Sequence, residues 1–269
     1  MKLFDTHAHF WDERFEEELG EAELDRLLRQ LLHSTVPHIV NVATDPESAE
    51  LCVEQAKRYP GMLTALGIHP NDGQGIADPE FPLWEIETML RDPASHAVAV
   101  GEIGLDYHYD DTDKERQQAL FRAQMEMAER LSLPVVIHDR DAHGDCLAIV
   151  REFPHVHGIF HSFSGSAEMA RELVSLGYYI SFSGTVSFQN AERVRAAAAA
   201  VPHDRLLIET DCPYLAPHPH RGKLNHSGYL TFTNKALAAA VGLTPERCAA
   251  LTYENACRVF GLTAKRGKE

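Results

Sequence analysis

Three runs in close succession, AVAVGEIGLDY (97–107), KERQQALFRAQMEMAERL (114–131) and PVVIHD (134–139), open the reading of this chain. The outer two are short, apolar and rich in β-branched residues, and the middle one has helical periodicity. A strand, a helix and a second strand in that order make a parallel pair, because a parallel neighbour needs a crossover long enough to return to the same end of the sheet. The alternation continues along the chain. Candidate strands are KLFDTHAH (2–9), HIVNVAT (38–44), LTALGIH (63–69), GIFHSFS (158–164), YYISFSG (178–184) and LLIETD (206–211), which with the first two make eight. EAELDRLLRQLLH (21–33) and the alanine run at 196–200 read as helix. Asp45-Pro46 and Thr244-Pro245 each offer a cap followed by proline at the first helical position, and Thr112 with Glu115 is a capping-box candidate. Eight strand–helix units close most simply into an α/β, single-domain (β/α)8 barrel spanning 1–269, with its site at the C-terminal ends of the strands.

The bulk properties narrow the chemistry. Hydrophobic residues make up 44% and charged residues 24% of 269 residues, ordinary values for a globular domain. No run reaches a membrane span, and MKLFD lacks the basic start and apolar stretch of a secretory leader, so a cytoplasmic protein is expected. Five scattered cysteines without a C-x-x-C pair argue against a disulfide framework or a thiolate zinc site. A net charge of −15 repels polyanions, so any work on nucleic acid must rest on a local cationic centre.

Such a centre is visible in the polar residues that interrupt the apolar strands. DTHAH places His7 and His9 two residues apart, so in a strand both project to one face. His69 ends the third candidate strand, Glu102 lies in the fourth, His138 in the fifth, His161 in the sixth and Asp211 in the eighth. Any one of them alone has an ordinary structural explanation: a half-buried strand-end histidine, a paired carboxylate, a turn-initiating aspartate. All of them at the same end of one barrel point to a shared cause. Four histidines with two carboxylates suffice for two divalent cations bridged by a carboxylate.

The segments DTHAHF, GIHP, GEIGLDY, VIHDRDAH, FHSFSG and ETDCPYLAPHPHRGKLN, in this order, closely resemble the TatD family of metal-dependent deoxyribonucleases in the amidohydrolase superfamily. The resemblance implies a TIM-like barrel in which His7, His9 and Asp211 bind one metal, His138 and His161 a second, and Glu102 bridges them. Imidazole ligands favour zinc, manganese, cobalt or nickel, with magnesium possible. Asp211 is the expected proton acceptor from the nucleophilic water, and Glu102 is too committed to the metals for that task. His69 is read either as a phosphate donor at the rim or as a cap before Pro70. Arg221 and Lys223 are candidate phosphate contacts, and Tyr107, with His108 and Tyr109, is a candidate stacking surface for an unpaired base. Asn71, Asp139 and HSGYL after Asn225 depart from the family pattern where substrate contacts are expected.

The expected function is hydrolysis of phosphodiester bonds at single-stranded or frayed DNA ends, the 3′ end by resemblance, with no membrane and no obligate protein partner. The same site could serve an esterase, lactonase, amidase or D-aminoacyl-tRNA deacylase. Many such enzymes bridge their metals with a carboxylated lysine on the fourth strand; here that strand carries Glu102 and no lysine. A non-catalytic barrel is the third reading, and the complete ligand set argues against it.

Overall fold

A computed structural model describes residues 1–262; the part of the single-domain reading that falls on 263–269 lies outside them. Eight parallel strands run in sequence order: β1 Phe4–Ala8, β2 His38–Val42, β3 Met62–Leu66, β4 Ala97–Asp106, β5 Val135–Arg140, β6 Gly158–Phe160, β7 Tyr179–Phe182 and β8 Leu206–Ile208. The sheet curls until its edges meet. Asp211 donates its backbone N–H to the carbonyl of His7 (2.9 Å), and His9 donates to that of Cys212 (2.7 Å). These bonds satisfy backbone groups that an open sheet would leave exposed at its edge.

One buried apolar cluster draws residues from every strand: Phe4, Val40, Ala65, Ala99, Val136, Ile159, Tyr179 and Leu207. Side chains from all eight strands can touch only inside the barrel, so this layer is its interior floor. Stepping two residues towards the C-terminal end from Val136, Ile159 and Leu207 reaches His138, His161 and Glu209, which therefore stand one layer above it. On β1 and β4 the step is three: Phe4 to His7 and Ala99 to Glu102. The strand register shifts between Asp5 and Ala8, and again between Val100 and Ile103. Each irregularity reverses the alternation and turns the polar side chain inward.

The helix caps at Asp45 and Thr244 form as expected, with Ser48 N–H on Asp45 Oδ1 (2.8 Å) and Arg247 N–H on Thr244 Oγ1 (3.2 Å). The Thr112–Glu115 capping box does not form. The helix begins at Lys114, which makes Asp113 the cap, accepting from Arg116 N–H at 3.0 Å. Thr112 instead donates its hydroxyl to the carbonyl of Asp106 (3.3 Å). Among the described residues no helix is long and apolar enough to cross a membrane.

Candidate metal centre

Glu102 is the hub of the barrel mouth. It is buried, with Oε2 3.2 Å from His7 Nε2, and Oε1 2.7 Å from His138 Nδ1 and 2.8 Å from His161 Nε2. One oxygen thus serves each half of the cluster. His7 Nε2 and His9 Nε2 face one another at 3.0 Å, and Asp211 Oδ1 lies 3.6 and 3.4 Å from them. The ligand-capable atoms of His7, His9 and Asp211 lie within 4.8 Å of one another, as do those of His7, Glu102 and His161. All six side chains that the resemblance implies as ligands come together. Their donor set, imidazole nitrogens with shared carboxylate oxygens, fits divalent cations of borderline softness.

The local backbone explains the placement. His9 and His161 sit just past their strands, and Asp211 takes φ 56°, a left-handed conformation that aspartate and asparagine adopt more readily than most residues. Asp5 anchors this turn by accepting from Thr210 N–H (2.9 Å), Thr210 Oγ1–H (2.6 Å) and Ser227 Oγ–H (2.7 Å). Burial pushes the Asp5 carboxyl up to about 7, and the bonds from Thr210 and Ser227 oppose that rise. Gly104 (φ 138°) has no room for a side chain: a Cβ there would lie 2.0 Å from the carbonyl oxygen of His138.

Within the cluster, burial opposes charge while the neighbouring carboxylates and imidazoles favour it. Burial works against charge on Glu102, but His161 and His7 outweigh it and hold the carboxyl well below its usual range. Burial likewise opposes protonation of His161, yet Glu102 and Glu209 raise it well above an ordinary histidine. His138 is raised against burial by Asp106 and Glu102, and His9 by Asp211 and Glu102. His7 is lowered, chiefly by burial and then by His161. Asp211 stays ionised, since His9 and His7 overcome its burial.

His69 forms the cap that one of its readings expects, and its ring also faces the centre. Its Nδ1 accepts the backbone N–H of Asn71 (3.2 Å), capping the short helix Pro70–Gly73, while Nε2 points at the centre, 3.7 Å from Glu102 Oε1. Burial and the neighbouring His138 lower it to about 3, so the ring is neutral and its proton sits on Nε2, facing the site.

Two carboxylates went unnoticed in the sequence. Asp106 Oδ2 lies 3.3 Å from His138 Nε2, and Glu209 Oε1 lies 3.2 Å from His161 Nδ1. Both orient an imidazole so that its other nitrogen meets Glu102, as carboxylate partners of ligating histidines commonly do. Spacing was the available signal: Asp106 is four residues after Glu102, and Glu209 two before Asp211. Asp106→Asn should weaken metal binding roughly 10–100-fold with the fold retained. A metal titration giving unchanged affinity would assign Asp106 a purely structural role.

The expected substrate contacts fare differently. Arg221 and Lys223 are exposed, and neither bonds to the six central side chains; the Arg221 guanidinium stacks over Phe188, 4.3 Å from its centroid. Tyr107 hydrogen-bonds Asp145 (2.8 Å) and Gln118 (2.9 Å), and Lys114 Nζ covers its ring at 4.5 Å, so that face is not free for a base. His108 and Tyr109 are both exposed; His108 is paired with Asp141 (3.0 Å), and the Arg140 guanidinium lies 5.7 Å from the Tyr109 centroid. Two departures from the family pattern are held by bonds within the chain: Asn71 donates to Asp106 Oδ2 (3.0 Å), and Asp139 pairs with His143 (2.9 Å).

A closed (β/α)8 barrel with a histidine–carboxylate cluster at its C-terminal mouth defines the class. The chain belongs to the family described as TatD related DNase, whose model matches residues 4–261. It is 38% identical over 262 residues to the uncharacterized metal-dependent hydrolase YabD of Bacillus subtilis, covering 96% of this chain and 98% of that one. It is 35% identical over 269 residues to the uncharacterized metal-dependent hydrolase TatD of Mycobacterium tuberculosis, covering 97% and 98%. The crystal structure of YjjV, a TatD homologue from Escherichia coli, superimposes with a TM-score of 0.87 at 29% identity, covering 96% of this chain and 98% of that one.

Proposed function

We propose that this chain, a metal-dependent hydrolase of the TatD family, cleaves phosphodiester bonds at single-stranded or frayed DNA ends. The observation that carries the reading is Glu102, with one oxygen on the His7 side and the other on His138 and His161. His7, His9 and Asp211 would hold one cation, His138 and His161 a second, and Glu102 would lie between them. A divalent pair supplies Lewis acidity and concentrated positive charge for a phosphate, which a chain of net charge −15 lacks elsewhere. Ionised Asp211 orients the attacking water and takes its proton. Neutral His69 offers Nε2–H to a phosphate oxygen. Hydrolysis adds hydroxyl to phosphorus and a proton to the departing sugar oxygen.

The imidazole shell favours zinc, manganese, cobalt or nickel, with magnesium able to serve when substrate oxygens complete its shell. Because His9, His138 and His161 are raised without metal, cations must displace their protons. Metal uptake near pH 7 should therefore release protons, and apparent affinity should fall as pH falls. Calorimetric titration in buffers of different ionisation enthalpy checks this; heats independent of buffer would count against these rings as ligands.

The activity test uses metal-loaded protein with end-labelled linear single strands, circular single strands, blunt duplex, RNA, a D-aminoacyl-tRNA and simple esters and lactones. Trimming of linear strands from the 3′ end, with circles spared, is the expected result. Circles cut as fast as linear strands would overturn end trimming, and turnover of an ester or amide alone would move the protein to the rival class.

A further inference from the structure

Beside the metal centre lies a cleft of about 530 Å³ between the segments that follow β1, β2 and β8, lined by Trp11, Leu51 and Tyr214 among others. It is one ring away from the ligands. Trp11 and Tyr214 pack edge-on to His9, with centroids 5.8 and 6.3 Å from it, and Tyr214 donates its backbone N–H to the carbonyl of Asp211 (2.9 Å). Both aromatic walls are held in place. Trp11 Nε1–H is bonded to the carbonyl of Val42 (2.7 Å), and Tyr214 carries the Arg14 guanidinium 4.0 Å from its centroid, with its hydroxyl on Asp12 (3.2 Å). Arg14 covers one face of the Tyr214 ring, yet Leu51 and Tyr214 keep much of their surface exposed (41% and 46%), which leaves the rest of the platform open to a flat ring.

Charge decides which part of a strand the cleft accepts. Arg14 is forked onto Asp12 (2.9 and 2.7 Å), so its charge is cancelled, and Asp45 is tied to the helix cap. Glu13 and Glu47 are exposed at the cleft and have no cationic partner among the described residues. The walls therefore suit a neutral aromatic group with N–H donors, while the free carboxylates repel a phosphate.

We propose that the cleft receives the terminal, phosphate-free nucleoside of a DNA strand, its base against Trp11 and Tyr214, and that Glu13 and Glu47 exclude a further phosphate, which makes the enzyme act at ends. This rests on the phosphodiesterase reading above. A strand continuing past the scissile phosphate would have to place its next phosphate between these carboxylates; a strand that ends there would not.

The test compares kcat/KM of metal-loaded protein on linear single strands bearing hydroxyl or phosphate at the 3′ or the 5′ terminus. At one terminus, phosphate should lower kcat/KM about tenfold or more, and the opposite terminus should be indifferent. The arms thereby also show which end enters. In the Glu13→Lys/Glu47→Lys double variant the hydroxyl-to-phosphate ratio should fall towards one, a change that general damage to the site would not produce, because it would affect both substrates alike. Trp11→Leu should raise KM for linear strands more than it lowers kcat. A ratio of one at both termini, or a ratio unmoved by the double variant, overturns the cleft assignment while leaving the nuclease standing. Absence of cleavage of every strand overturns both.

Discussion

Glu102→Ala is expected to lose bound metal and hydrolytic turnover together. Its carboxylate touches His7, His138 and His161 at 3.2, 2.7 and 2.8 Å, so no other single side chain serves both halves of the centre. Two cations held close repel one another strongly, and the shared anion offsets that repulsion. The loss of affinity should exceed the ~100-fold upper end seen when residues that merely orient ligands are removed. The fold should survive. Without the carboxylate, His138 and His161 lose one of the partners that raise them but stay paired with Asp106 and Glu209, so neither ring is left as an uncompensated buried charge. Elemental analysis, thermal unfolding and turnover on the same preparations separate these effects. Wild-type turnover at saturating metal would show that Glu102 is not the bridge.

Asp211→Asn should leave an intact, metal-binding protein whose turnover falls about 10²–10⁴-fold, the usual worth of a positioned proton acceptor. The substitution isolates chemistry from conformation. Residue 211 sits at φ 56°, which asparagine tolerates well, and an amide oxygen can still face His7 and His9. What the amide cannot do is take a proton. Turnover within about tenfold of wild type would place the proton acceptor elsewhere. His9 and His7 hold the wild-type Asp211 carboxyl below its usual range against the effect of burial.

Much of the barrel could be read directly because its signals are local. Apolar β-branched runs alternate with helical periodicity, and each polar interruption falls near a strand's C-terminal end, where a parallel barrel gathers residues however distant in sequence. Asp106 and Glu209 stand at even spacings, four residues after Glu102 and two before Asp211, but a carboxylate at such a spacing looks alike whether it binds metal or braces the histidine that does. Parity was beyond such reasoning for His7 and Glu102. Strict alternation from Phe4 and Ala99 would have aimed both at the surrounding helices, and only the register shifts on β1 and β4 turn them inward.

The expected substrate contacts are not drawn onto the six central side chains, for the opposite reason. Arg221, Lys223 and Tyr107 are neighbours of the site along the chain, yet loops leave a strand end in directions set by their own packing. Arg221 settles on Phe188, and Tyr107 is drawn between Asp145 and Lys114. Trp11 and Tyr214, by contrast, converge on His9 from opposite ends of the chain. Strand identity and the ligand set follow from hydrophobic periodicity and residue type, which a linear chain carries at every position. Which side chains share a cleft depends on bulges, barrel closure and loop packing, whose energies arise only between residues already brought together by the fold.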